Sequence, residues 1–295
     1  MKHIRILVPI SHTEGLDPAF ERGLTLARTL DAELYLLHAV PGDRPFSARA
    51  TERLERWAEL RERAAAAGVP VETVEQQGDP AGVIVLHADS REVDLIVMST
   101  ERRTGWDGIR QPSVAERVIR RTTRPTLVVR RDGTVPAAFS NVLVAVDMSP
   151  TSKTIIDVAR ELFGHDAREL TVLHAVNSLE GADAVLSHAR WVVPEYRDYV
   201  LDEAHRRLER VTPGVDDDVD MQLHVAPGPT TEAIADQAVA VDADLIVVGR
   251  NKRLLPWRST ALRLLRDSDR ALLMVPPTES GRAISADEST LRRAA

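Results

Sequence analysis

The chain has 295 residues, 43% of them apolar, no cysteine and a formal net charge of −7. This length indicates about two domains. The absence of cysteine excludes disulfides, thiolate metal sites and cysteine nucleophiles, and the acidic balance argues against nucleic-acid binding. No apolar run approaches the roughly 18 residues of a membrane span, and "MKHIRILVPI" lacks a secretory-signal pattern, so we expect a cytoplasmic protein with no membrane partner.

Short runs rich in Ile, Val and Leu alternate with amphipathic segments of helical length in the first half of the chain. A first helix is predicted with Asp17 as N-cap and Pro18 in the first position, and a second from Ala48 to Ala67 that ends at Gly68. Because the strands are almost continuously apolar, we expect helices on both faces of a parallel sheet. They are predicted at Ile4–Ile10, Leu34–Val40, Val71–Gln76, Leu95–Ser99 and Thr126–Arg130.

The second half repeats the first. The segment "ELYLLHAV" from Glu33 returns as "ELTVLHAV" from Glu169, 136 residues later. "VDLIVMST" returns as "ADLIVVGR", and "SVAERVIRRTTRPTLVV" as "STALRLLRDSDRALLMV", in the same order. Ser149 and Pro150 are predicted to begin the first helix of this half. Two homologous domains are therefore predicted, at 1–131 and 141–277, with a linker at 132–140 and a disordered tail at 278–295.

Each half is predicted to be a doubly wound α/β domain. The paired blocks resemble the universal stress protein family in its tandem two-domain form: "ILVPIS" and "VLVAVD", "LLHAV" and "VLHAV", "QGDPAGVI" and "APGPTTEAI", "DLIVMST" and "DLIVVGR". The resemblance implies five-stranded parallel sheets of order 3-2-1-4-5 and a stress-responsive binding or scaffold protein that is not an enzyme. It also implies pairing of the halves through their fifth strands, and it allows a homodimer and a protein partner that the sequence does not name.

Nucleotide-binding relatives carry an Asp after the first strand and a glycine motif after the fourth. That motif runs glycine, two residues, glycine, nine residues, glycine and Ser or Thr, and its backbone N–H groups hold phosphates. In the first half the three glycine positions fall on Ser99, Arg102 and Pro112, and only Ser113 matches the pattern. Ser11 stands where the family has Asp. The first half is therefore predicted to be a poor ATP site.

The second half keeps more of the pattern. Asp147 and Gly249 match the family residues, and Ser259 and Thr260 follow a loop that is four residues short. The resemblance also places Val146 and Val176 at the site, where the second half alone would bind ATP or AMP weakly. Arg250 and Arg258 belong to a basic group with Lys252 and Arg253, which either holds phosphate in place of glycine N–H groups or forms a solvated rim.

The remaining candidate residues are expected to be structural. His38 and His174 end equivalent strands, Asp79 is predicted to cap the helix that begins at Pro80, and Trp106 and Trp257 lie in the loops after the fourth strands. No acid–base pair accompanies either predicted site, so the binding function is favoured over catalysis. An ATPase-type enzyme on the same fold is the alternative function. A sensor for another small molecule is a third option, with Trp191 and Tyr196 in an insertion of the second half.

Overall fold

The computed structural model describes residues 4–11, 17–42, 50–100, 112–131, 138–176, 194–212, 220–250 and 259–277. These residues form two compact units, which we call unit 1 (residues up to 131) and unit 2 (residues from 138). All statements below concern this part of the chain. The predicted tail at 278–295 and most of the predicted linker lie outside it.

Unit 1 is a five-stranded parallel sheet with four described helices. The neighbours run in the order β3-β2-β1-β4-β5. The strands are β1 (Arg5–Pro9), β2 (Glu33–Val40), β3 (Val71–Gln77), β4 (Leu95–Thr100) and β5 (Thr126–Arg130), and the helices are α1 (Pro18–Thr29), α2 (Ala50–Ala66), α3 (Pro80–Ser90) and α4 (Val114–Arg121).

Unit 2 repeats this topology. Its strands lie in the order β8-β7-β6-β9-β10, again all parallel, so β6 takes the place of β1 and β9 that of β4. The strands are β6 (Asn141–Val146), β7 (Glu169–Val176), β8 (Asp220–Pro227), β9 (Leu245–Gly249) and β10 (Ala271–Val275). The described helices are α5 (Ser152–Phe163), α6 (Pro194–Val211), α7 (Thr230–Ala240) and α8 (Thr260–Asp267).

The apolar strands are covered on both faces, as their sequences predict. A Cβ on Gly23 of α1 would lie 2.6 Å from Val8 Cγ2, so α1 packs closely on one face of β1. Leu7 faces the other side, in a buried cluster with Ala81 of α3 and Ala115 of α4. The predicted doubly wound α/β fold class is confirmed, whereas the exact domain boundaries and the pairing of the halves through β5 and β10 stay predictions.

Helix starts follow the predicted capping chemistry in unit 1. Asp17 Oδ1 accepts a hydrogen bond from Ala19 N at 3.0 Å, and Asp79 Oδ2 accepts one from Gly82 N at 3.1 Å. Pro18 and Pro80 occupy the first positions of α1 and α3, where no N–H is needed. Gly68 follows α2 with φ = 71°, the left-handed conformation predicted for the end of this helix.

The start of α5 differs from its prediction. Ser149 and Pro150 precede the helix instead of beginning it, and α5 starts at Ser152 with Thr151 as its cap residue. The reason is a turn in which Asp147 Oδ1 accepts a hydrogen bond from Ser149 N at 3.0 Å. Met148 takes a positive φ of 59° within this turn. Ser149, the predicted cap, therefore bonds Asp147 through its backbone N–H, and its hydroxyl oxygen lies 2.8 Å from Thr151 Oγ1.

In each unit one aspartate joins the first and fourth strands, and the two aspartates occupy equivalent positions. Asp94, just before β4, accepts a hydrogen bond from Arg5 N at 3.0 Å through Oδ2. Asp244, just before β9, accepts bonds from Ser140 N at 2.9 Å and Asn141 N at 3.1 Å. Each carboxylate thereby satisfies backbone donors that the sheet ladder leaves over. These bonds align the two strands whose carboxyl ends border the candidate site.

Candidate functional site

In an open parallel sheet, ligands bind beyond the carboxyl ends of the strands, at the point where the strand order reverses. That point lies between β1 and β4 in unit 1 and between β6 and β9 in unit 2. We call the residues at these strand ends the mouth of each unit: Ser11, Asp17, Ser99 and Arg131 in unit 1, and Val146, Asp147, Gly249 and Arg250 in unit 2. Equivalent positions in the two mouths carry different chemistry.

Asp147 is an exposed carboxylate directly after β6. Its Oδ1 accepts hydrogen bonds from Ser149 N at 3.0 Å and, more weakly, from Ser152 Oγ at 3.4 Å. Within the described residues, no cationic side chain pairs with it. The turn therefore fixes the position of Asp147 through one oxygen while its charge faces solvent, as suits a carboxylate that accepts hydrogen bonds from a ligand's hydroxyl groups.

The predicted site residues Val146 and Val176 are held by backbone bonds. His174 Nδ1 lies 2.9 Å from the Val146 carbonyl oxygen, so the Nδ1–H of this histidine donates to the end of β6. His38 makes the same bond, also 2.9 Å, to Ile10 O in unit 1. The Val176 carbonyl accepts a hydrogen bond from Gly228 N at 3.0 Å. Both histidines therefore fasten the end of the first strand to the second.

Gly249, at the end of β9, lies against a side chain of α5. A Cβ at this position would lie 2.6 Å from Ile155 Cδ1 of the buried helix α5. The equivalent pair in unit 1, at offsets of 150 and 136, is Ser99 and Ala19, where the side chain on the strand is larger and the one on the helix is smaller. The glycine thus matches the bulk of its neighbour, and its presence is not by itself evidence of a phosphate cradle.

Arg250 follows Gly249 and is half-buried. Its backbone N donates a hydrogen bond to Val275 O at 2.8 Å, which fixes the chain where it leaves β9. Burial lowers the pKa of its guanidinium, although an arginine stays charged at neutral pH. A cation is therefore placed at the fourth-strand end of the mouth of unit 2.

Ser259 and Ser113, the hydroxyl residues of the two motifs, are helix caps. Ser259 Oγ accepts a hydrogen bond from Leu262 N at 3.4 Å, and Ser113 Oγ accepts one from Glu116 N at 3.1 Å. Thr260 is the first residue of α8 and is half-buried. These cap bonds explain the hydroxyl residues without a ligand.

The mouth of unit 1 is organised around Arg131, the residue after β5. Its Nη2 donates a short hydrogen bond to Ser11 Oγ and lies 3.2 Å from Ser99 Oγ. The same nitrogen is 3.5 Å from Asp17 Oδ2, and the Asp17 side chain is only 3% exposed. A guanidinium therefore lies at the end of the first strand in unit 1, whereas unit 2 has the exposed carboxylate of Asp147 at the equivalent position.

The comparison with protein families gives two matches, both to the universal stress protein family, at residues 4–130 and 138–276. The universal stress protein MJ0531 of Methanocaldococcus jannaschii is 32% identical over 143 residues, which are 43% of this chain and 82% of that protein. A crystal structure of a universal stress protein from Archaeoglobus fulgidus covers 92% of this chain and 98% of its own, at 17% identity and a TM-score of 0.64. The chain belongs to the universal stress protein family.

Both family matches span the loops after the fourth strands, which hold several of the candidate residues. In this universal stress protein, Lys252, Arg253 and Arg258 of the second-half loop lie outside the described residues, as do Arg102, Trp106, Trp191 and Trp257. The side chain of Tyr196 lies outside them as well. Their assignment to a binding loop or a pocket stays a prediction.

Arg131 and Asp17 are the mouth residues that sequence reasoning missed. Asp17 was predicted only as a helix cap, and Arg131 only as the end of a domain. A signal was present, because unit 2 replaces both members of the pair: Lys153 stands at the position of Asp17 and Pro277 at that of Arg131. Joint replacement of an acidic and a basic residue is what a contact between them would produce.

Two further properties of the described residues bear on the function classes. No helix among the described residues has the length and apolar character needed to cross a membrane. In the same part of the chain, no group of three or more His, Asp or Glu side chains is placed to hold a metal ion.

Proposed function

We propose that this universal stress protein is a non-enzymatic binding protein in which only unit 2 takes an adenine nucleotide, ATP or AMP, and takes it weakly. Asp147 is the observation that carries the proposal. It is an exposed carboxylate at the carboxyl end of the first strand, held by the Ser149 N–H through one oxygen.

The chemistry of the mouth of unit 2 supports this ligand class. A carboxylate is an acceptor-only group that suits the hydroxyl donors of a ribose. Arg250 follows the fourth strand, where a guanidinium can bind phosphate oxygens. Since the glycine motif is incomplete and Ser259 is engaged as a cap, few backbone donors are left for a triphosphate, which favours weak binding.

The non-enzymatic part of the proposal rests on the surroundings of Asp147. Hydrolysis of a nucleotide needs a group that activates water and a group or metal that stabilises the leaving phosphate. Among the described residues, Asp147 is bonded to Ser149 and Ser152, and no imidazole or second carboxylate is bonded to it. An ATPase-type enzyme is the outcome that the experiment must distinguish.

Isothermal titration of the full chain with ATP and with AMP, in the presence of magnesium, tests the proposal. We expect one site per chain and an affinity that Asp147→Ala weakens by about 10- to 100-fold, as expected for loss of a charge-assisted hydrogen bond. Ser11→Ala is the matched control, because it alters the equivalent position of unit 1, and it leaves the affinity unchanged.

Two results would contradict the proposal. Absence of both heat and thermal shift with millimolar ATP and magnesium would remove nucleotide binding. Phosphate release that disappears in Asp147→Ala would establish the enzyme instead. Circular dichroism of Asp147→Ala checks that the turn before α5 survives the substitution.

A further inference from the structure

The geometry points to a guanidinium-binding site at the mouth of unit 1, which Arg131 of the same chain fills and so closes to anionic ligands. Nucleotide binding by unit 2 plays no part in this site. Three elements build it: Ser11 follows β1, Ser99 lies in β4, and Asp17 precedes α1.

The site consists of oxygen acceptors around one nitrogen. Arg131 Nη2 contacts Ser11 Oγ, Ser99 Oγ at 3.2 Å and Asp17 Oδ2 at 3.5 Å. A guanidinium has only donors, and the two N–H groups of Nη2 are shared among these three oxygens. The hydroxyl groups can also donate hydrogen bonds to an anion. The carboxylate is therefore the group that selects a positively charged ligand.

Asp17 gives the site its charge. Its side chain is 3% exposed, and within the described part of the chain Arg131 is the cation that pairs with it. A buried carboxylate without a cationic partner is strongly unfavourable. A phosphate at this mouth would face that carboxylate and would have to displace its partner, so the site excludes the phosphates of a nucleotide.

Unit 2 supplies the contrast, because both charges of the pair are gone from it. Lys153, at the position of Asp17, is exposed and pairs with Asp157 at 2.8 Å. Pro277, at the position of Arg131, has neither a charge nor an N–H group. Loss of the carboxylate together with the arginine is expected if the two residues form one site.

Chemical rescue tests the site. Arg131→Ala removes the equivalent of ethylguanidinium from the mouth, and we expect it to lower the melting temperature of the full chain by about 5 °C. Ethylguanidinium at about 10 mM is expected to restore roughly half of this loss, because a ligand that binds only the native state raises its stability.

Matched variants separate this site from a general effect of charge. Arg120→Ala removes an exposed arginine of the same unit and gives no rescue. Asp17→Asn keeps an acceptor for the Ala19 N–H but removes the charge, so in this background Arg131→Ala costs less and ethylguanidinium gives no rescue. Equal melting of Arg131→Ala and the parent chain would overturn the site. So would equal stabilisation of the parent chain and Arg131→Ala by ethylguanidinium.

Discussion

At the carboxyl end of the first strand, unit 1 places Ser11 under the guanidinium of Arg131, whereas unit 2 places the exposed carboxylate of Asp147. The framework below these two points is the same. Both units fasten the first strand to the second through a histidine and to the fourth through an aspartate. The repeated bonds satisfy backbone groups that every copy of the fold possesses, whereas the side chains of the mouth differ between the two copies.

The largest change in unfolding free energy is expected where Gly249 packs against Ile155, a contact that differs between the two units. Ile155 is 3% exposed, and Ile155→Ala is expected to lower the free energy of unfolding by about 3 kcal/mol. Gly249→Ser alone is expected to cost about 1 kcal/mol, because its Cβ would lie 2.6 Å from Ile155 Cδ1. The double variant recreates the Ser99 and Ala19 pair of unit 1 and should lose less than the sum of the single losses.

Urea unfolding of the four proteins of this cycle measures the coupling. Strictly additive losses would show that the sizes of the strand and helix side chains in the two units are not coupled. Ser99→Gly is the corresponding substitution in unit 1. Its neighbour Ala19 is small, so the substitution relieves no crowding, and it removes the hydroxyl that accepts from Arg131; we therefore expect it to destabilise the unit.

The aspartates that join the first and fourth strands come next in size. Asp244→Ala leaves the N–H groups of Ser140 and Asn141 without their acceptor, and Asp94→Ala does so for Arg5. Each substitution is expected to cost about 1–3 kcal/mol of unfolding free energy, because it leaves backbone donors without their acceptor. Asparagine at either position keeps one acceptor and is the matched variant with a smaller loss.

Calorimetry of the full chain measures these losses. A loss below about 0.5 kcal/mol at either position would contradict the role of these carboxylates as acceptors for the backbone donors.

The elements could be predicted from the sequence because their signals are local. Asp17 and Pro18, two adjacent residues, predict the start of a helix. The continuous apolar runs of β1 and β6 predict buried strands. The contact between Asp17 and Arg131 joins residues 114 positions apart, and neither residue is unusual for its local segment. Only the comparison of the two halves could have revealed it.

The candidate site was predictable only in part, because one residue can satisfy a motif for two physical reasons. Gly249 fits the family pattern and also fits the bulk of Ile155, and a sequence pattern cannot tell these apart. Ser113 and Ser259 fit the motif and also cap helices. Asp147 is the predicted site residue for which the structure supplies no competing structural requirement beyond its own turn.

The smallest expected effect concerns acid stability and His38. Burial lowers the pKa of His38, although the hydrogen bond to Ile10 opposes part of this shift. The unfolded chain therefore binds a proton at His38 more readily, with a pKa of about 6.5, and protonation favours unfolding. The contribution of this group is intact above that pKa and is lost as the pH falls through it. Melting curves from pH 8 to pH 5 should show a shallower decline for His38→Gln than for the parent chain. A parallel decline for His38→Gln and the parent chain would contradict the assignment to His38.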